Sequence, residues 1–111
     1  MFNFFGGDND IDCETFDNLV KEGYTVIDVR TKEEYVQARI MDCMQMDYYA
    51  ADFKNKISEL NKDGKFIIYC RSGNRSRHTV SYMYSNGFKI VKNLKGGIIT
   101  WHNSGRKIIQ N

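Results

Sequence analysis

The sequence predicts an α/β domain whose parallel sheet is covered by helices on both faces. Three observations carry this prediction. One phrase recurs three times along the chain: an amphipathic helix, a glycine, then a short apolar run. The runs are nearly continuous rather than alternating, which marks strands buried on both sides. The length of 111 residues allows one domain with a core of its own.

Residues 1–8, with Phe2, Phe4 and Phe5, read as a short tail, and the domain is expected over residues 9–108. In the first phrase Phe16, Leu19 and Val20 share a helix face, Gly23 follows, and Tyr24 to Val29 form the strand. The second has Phe53, Ile57 and Leu60, then Asp63-Gly64, then a strand from Phe66 to Tyr69. The third has Val80, Met83 and Tyr84, then Gly87, then a strand from Phe88 to Val91. Each glycine is placed to take the left-handed position that ends a helix. β-branched and aromatic residues suit the strands that follow. With no proline in the chain, its turns rely on Gly, Asn and Asp.

Composition narrows the function classes. Hydrophobic residues at 41% and charged residues at 27% exclude wholesale disorder. The net charge of +2 hides a polarity: residues 1–63 hold all 14 acids against 7 bases, while residues 64–111 hold 9 bases and no acid. The basic half therefore has something to meet an anion. Its bases are scattered, without an aromatic stacking platform or a groove-reading helix, so no nucleic-acid partner is expected.

Cys13, Cys43 and Cys70 form no CxxC unit and cannot all pair. This is neither a disulfide framework nor a zinc site, and it points to a reducing, cytoplasmic setting. His78 and His102 lack ligand spacing, so no metal is expected. No apolar run approaches the length of a membrane span, and the apolar start is too short for a signal segment.

The chemistry is expected where a strand ends and a helix begins, because ligands of open α/β sheets gather outside the carboxyl ends of strands. After Phe66–Tyr69 the chain runs Cys70-Arg71-Ser72-Gly73-Asn74-Arg75-Ser76, then Arg77, His78 and a helix. Gly73 permits a tight backbone that turns successive N–H groups toward one spot. The following helix adds its positive end and unpaired N–H groups, which completes an anion cradle. A cysteine at its mouth has its thiolate stabilised, so Cys70 is the candidate nucleophile. Arg71, Arg75 and Arg77 add charge, though only one or two of them can point inward. Cys13 and Cys43 lack such surroundings and read as core residues.

The Cys70–Ser76 loop resembles the active-site loop of the small single-domain rhodanese-like sulfurtransferases. Val26-Ile27-Asp28-Val29-Arg30 with Glu33-Glu34-Tyr35 is similar to that family's early strand and acidic turn. Gly96-Gly97-Ile98-Ile99-Thr100-Trp101 is similar to its closing segment. The resemblance implies the rhodanese-like fold, with a mainly parallel central sheet of about five strands. It implies a thiosulfate sulfurtransferase in which Cys70 takes the outer sulfur of an anionic donor as a persulfide. Cyanide, a thiol or a sulfur-acceptor protein then collects that sulfur, and no cofactor is required. Loop residues Arg71, Ser72, Gly73, Asn74, Arg75 and Ser76 would bind the substrate, with Arg75 inward and Arg71 at the rim. Asp28 and Arg30 would brace the loop. Where the family has a Gly-His-Ile-Pro-Gly-Ala-like stretch, this chain has Ala38-Arg39-Ile40-Met41-Asp42-Cys43, which shares only the isoleucine.

Two other readings compete. A persulfide carrier or partner-binding module would keep Cys70 without independent turnover. A cysteine phosphatase or arsenate reductase would need an arginine six positions after the cysteine, where this chain has Ser76; Arg75 closes the loop one residue early.

Overall fold

The computed structural model describes residues 9–111, so the expected tail over residues 1–8 lies outside the described residues. In chain order the elements are β1 (Asp10–Ile11), α1 (Cys13–Lys21), β2 (Thr25–Asp28), α2 (Lys32–Gln37), β3 (Ala38–Arg39) and β4 (Met44–Gln45). They continue with α3 (Phe53–Ser58), β5 (Lys65–Tyr69), α4 (Asn74–Ser85), β6 (Ile90–Leu94), α5 (Gly97–Asn103) and β7 (Ile109–Gln110). Five strands form a parallel sheet in the order β1-β6-β5-β2-β4, and β3 pairs antiparallel with β7. Pairing thus runs past residue 108, the expected end of the domain.

Successive residues of β5 point to opposite faces, and this divides the core in two. Ile68 joins Ile27 and Val91 under α3 and α4, which contribute Phe53, Ile57, Val80 and Met83. Ile67 and Tyr69 join Val26 and Leu94 under α1 and α5, which contribute Phe16, Ile98 and Trp101. Each such side chain, fully buried, contributes about 1.5–3 kcal/mol. Trp101 meets Phe16 edge-on at 5.0 Å within this second cluster. Among the described residues no helix is long and apolar enough to cross a membrane.

Two local expectations are corrected. The strand expected from Phe88 begins at Ile90. Phe88 still belongs to the end of α4: its N–H donates to the Met83 carbonyl at 3.1 Å, while its ring meets Phe66 edge-on. Gly23 and Gly87 take the positive φ expected after α1 and α4, but Gly64 does not. α3 ends at Ser58, well before Gly64, with Glu59 in right-handed backbone.

The topology places the site. From β2 the chain moves outward to β4, whereas from β5 it moves the other way to β6. The crevice between the carboxyl ends of β2 and β5 is therefore the switch point at which open sheets bind ligands. Asp28 and Tyr69 lie side by side in register there, two residues before Arg30 and one before Cys70.

Candidate active site

The Cys70 side chain is 1% exposed and sits at the floor of the loop between β5 and α4. Gly73, at φ +112°, turns the loop so that its own N–H donates to Cys70 Sγ at 3.1 Å. The Ser76 N–H, in the first turn of α4, reaches the same sulfur at 3.4 Å. The Ser76 hydroxyl lies 3.3 Å from Sγ and 3.2 Å from the Gly73 carbonyl, to which it can donate. Two backbone donors, one hydroxyl and the positive end of a 12-residue helix therefore converge on one sulfur atom, an environment that favours an anion there.

The loop is held from behind by α5. The N–H groups of Ile98 and Ile99 donate to the carbonyls of Cys70 and Arg71 at 3.0 and 3.2 Å. That approach requires Gly97, where a Cβ would overlap both carbonyls. Gly97 also has φ +59°.

Asp28 and Arg30 form a buried ion pair on the β2 side, with exposures of 0% and 4%. The Asp28 carboxylate accepts from Arg30 Nε at 3.0 Å and from its Nη2 at 2.7 Å, while the same Nη2 donates to the Ala38 carbonyl at 2.6 Å. The guanidinium stacks on the Tyr69 ring at 5.6 Å, and the Tyr69 hydroxyl accepts from the Ile40 N–H at 3.2 Å. The divergent Ala38–Cys43 stretch is thus tied to the residue before Cys70. Burial beside Asp28 pushes the Tyr69 hydroxyl far above the ordinary phenol range, so it stays protonated.

Arg75, expected as an inward guanidinium, is engaged by Glu34. Its Nη1 and Nη2 fork onto Oε1 and Oε2 of Glu34, at 2.8 and 3.1 Å. The Tyr49 ring lies on the same guanidinium at 5.7 Å. The fork and nearby backbone donors lower the Glu34 carboxyl from 4.5 to about 2, against the opposing effect of burial. Arg71 is exposed and, among the described residues, has no ion-pair partner. Ser72 and Asn74 are exposed on the loop, and neither contacts Sγ. Arg77 is half-buried, and its Nε has no partner among the described residues.

Cavities flank the loop on both sides. One is lined by Arg71, Glu34, Arg30, Ile98 and Ile99, another by Ser72, Arg77, Lys95 and Cys13. A third is lined by Tyr48, Phe53, His78 and Tyr82 and by no residue of the Cys70–Ser76 loop. Burial raises the Cys13 thiol and pushes Cys43 up to about 12. Among the described residues no cluster of three or more His, Cys, Asp or Glu is placed to hold a metal ion.

With this geometry in hand, residues 12–104 match the Rhodanese-like domain family. The chain belongs to that family. A sulfurtransferase of Allochromatium vinosum is 36% identical over 103 residues, covering 91% of this chain and 94% of the relative. A thiosulfate sulfurtransferase, GlpE, of Pseudomonas syringae is 30% identical over 84 residues, covering 75% of this chain and 76% of its own length. The crystal structure of a rhodanese-related protein from Thermoplasma volcanium superposes with a TM-score of 0.81 at 25% identity, covering 93% of this chain and 99% of that one. The fold is the rhodanese fold.

Within this rhodanese-like domain, sequence reasoning missed three features of the site. Glu34 was visible only as part of an acidic turn, and its reach to Arg75 spans 41 positions. The Tyr49 contact had no signal beyond an aromatic pair in an irregular stretch. Gly97 did carry a signal: a Gly-Gly pair opening a helix marks a close backbone approach, although nothing in the sequence said to what.

Proposed function

We propose that the protein is a thiosulfate:thiol or thiosulfate:cyanide sulfurtransferase working through a persulfide on Cys70. The observation that carries this reading is the convergence of the Gly73 N–H, the Ser76 N–H and the Ser76 hydroxyl on Cys70 Sγ. The Cys70 thiolate attacks the outer sulfur of thiosulfate; a Sγ–S bond forms, the S–S bond of the donor breaks, and sulfite leaves with its electron pair. Cyanide or a thiolate then attacks the outer sulfur of the persulfide, and the pair returns to Sγ. This is covalent catalysis of ping-pong form.

The Ser76 hydroxyl has one proton and two acceptors within reach. Beside a neutral thiol it can serve the Gly73 carbonyl; beside a thiolate or persulfide it turns to sulfur, so it strengthens its bond only in the charged states. The loop N–H groups from Arg71 to Ser76 hold the persulfide charge, and exposed Arg71 meets the incoming anion. Asp28 and Arg30 hold the β2 side of the loop in place. The similarity to the Pseudomonas thiosulfate sulfurtransferase supports thiosulfate as the donor. Phosphate-ester chemistry is disfavoured because the loop closes one residue early and Arg75 is already engaged by Glu34. The unpaired cysteines fit a reducing cytoplasm.

Intact mass spectrometry after incubation with thiosulfate tests the reading. We expect a gain of one sulfur atom on Cys70, removed by cyanide with release of thiocyanate and repeated over many turnovers. A single stoichiometric loading without turnover would make the domain a carrier. No loading in the absence of reductant would overturn the reading altogether.

A further inference from the structure

We propose that Glu34 sets donor specificity: by holding Arg75 as a neutral pair, it weakens the site's preference for a dianionic donor over a singly charged one. The inference rests on the sulfurtransferase reading above and concerns which sulfur donors the same loop accepts.

A loop with arginines at 71, 75 and 77 invites the assumption that all of them draw in the donor. The geometry removes one of these charges. Both terminal nitrogens of Arg75 are matched to both oxygens of Glu34, and Tyr49 lies on the guanidinium, so the pair has little freedom to open. Glu34 is itself anchored: its Oε1 accepts from the Thr31 N–H at 3.0 Å, and its own N–H donates to Thr31 Oγ1 at 3.2 Å. A carboxylate held by its own helix cap cannot swing aside to release Arg75. Arg77 is half-buried and lines the cavity with Ser72 and Lys95, which leaves Arg71 on the side of Glu34, exposed and without an ion-pair partner among the described residues. The donor therefore meets about one net positive charge from Arg71 and Arg75 together, where the sequence alone would count two.

Charge selectivity follows Coulomb's law at the mouth of a wet site. One unit charge several ångströms from the donor changes the relative capture of a dianion and a monoanion by about threefold. The structure thus assigns this site a preference for dianionic over monoanionic donors about threefold weaker than an unpaired Arg75 would give, and methanethiosulfonate is the monoanionic probe. With methanethiosulfonate the balance matches the thiosulfate step: the Sγ–S bond forms, the donor S–S bond breaks, and methanesulfinate leaves with the electron pair.

The test is the ratio of kcat/KM for thiosulfate to kcat/KM for methanethiosulfonate at low ionic strength. Glu34→Gln keeps an oxygen for Thr31 while removing the charge, and should raise the ratio about threefold. Arg75→Gln leaves the carboxylate unopposed and should lower it by about the same factor. The double variant Glu34→Gln/Arg75→Gln should return the ratio to the wild-type value. A double variant that stays as low as Arg75→Gln would show that Arg75 binds the donor directly and would overturn the inference, as would an unchanged ratio in Glu34→Gln. If Glu34→Gln does not fold alone, the Arg75→Gln and double variants still decide the matter. Wild-type protein that turns over neither donor overturns the sulfurtransferase reading, and this inference with it.

Discussion

Gly97 lies against the carbonyl of Cys70, and the next residue, Ile98, donates its N–H to that carbonyl at 3.0 Å. The loop carrying Cys70 is therefore bounded on one side by backbone rather than by a side chain that could yield. With φ +59° as well, the position refuses a Cβ on two counts. Gly97→Ala should destabilise the fold by at least about 2–3 kcal/mol, the sum of an unfavourable backbone and a steric overlap. Urea denaturation measures it; a change below 1 kcal/mol would show that the loop moves aside freely.

Gly73 makes a contrasting case. A Cβ there would meet only the Gly96 nitrogen, at 3.6 Å, which is ordinary contact. The strain comes from φ +112° alone, and relieving it pulls the Gly73 N–H off Cys70 Sγ. Gly73→Ala is predicted to lose only about 1–2 kcal/mol of stability while reducing sulfur loading far more than Gly97-distant surface variants do. Activity and stability measured on the same preparation separate the two effects.

The two loop serines should behave differently. Ser76→Ala removes the hydroxyl that can follow the charge on sulfur, and should slow sulfur loading by roughly tenfold, the value of one hydrogen bond to a charged acceptor. Ser72 is exposed and does not touch Sγ, so Ser72→Ala should leave the loading rate nearly unchanged. Stopped-flow loading with thiosulfate compares them; equal effects would sink the assignment.

Removing the Asp28 charge should be among the most damaging single changes. Asp28→Asn leaves Arg30, 4% exposed, without its counter-ion, and breaking one side of such a pair costs about 3–5 kcal/mol. Thermal and urea unfolding should show it at every pH near neutrality. The double variant Asp28→Leu/Arg30→Met should recover much of the loss, because no uncompensated charge remains.

The Glu34–Arg75 pair predicts a pH window. Folding lowers the Glu34 carboxyl from 4.5 to about 2. A group whose folded value is depressed contributes stability above its unfolded value and loses it as pH falls through its folded one. The stability difference between wild type and Glu34→Gln should therefore be constant from neutral pH down to about 5, then shrink toward pH 2. A difference that instead grew on acidification would contradict the pairing.

The local grammar of the fold was legible in the sequence because it depends on neighbours along the chain. Tyr24–Val29 and Phe66–Tyr69 are apolar on both faces, so they could only be strands between two helical layers, and Gly23 and Gly87 adopt the positive φ that ends their helices. The Cys70–Ser76 loop was legible for the same reason: a cysteine, a glycine and a helix start within seven residues make their geometry locally. Gly64 and the late start of β6 were not legible, because there a segment's ending depends on packing. The charge at the site was decided only by tertiary structure. Along the chain no acid follows Asp63, so no carboxylate is adjacent to Cys70 in sequence. The parallel sheet then sets β2 beside β5, and α2 carries Glu34 across to Arg75. Electrostatic energy depends on distance through space, and parallel strands joined by crossovers bring together residues that are far apart along the chain.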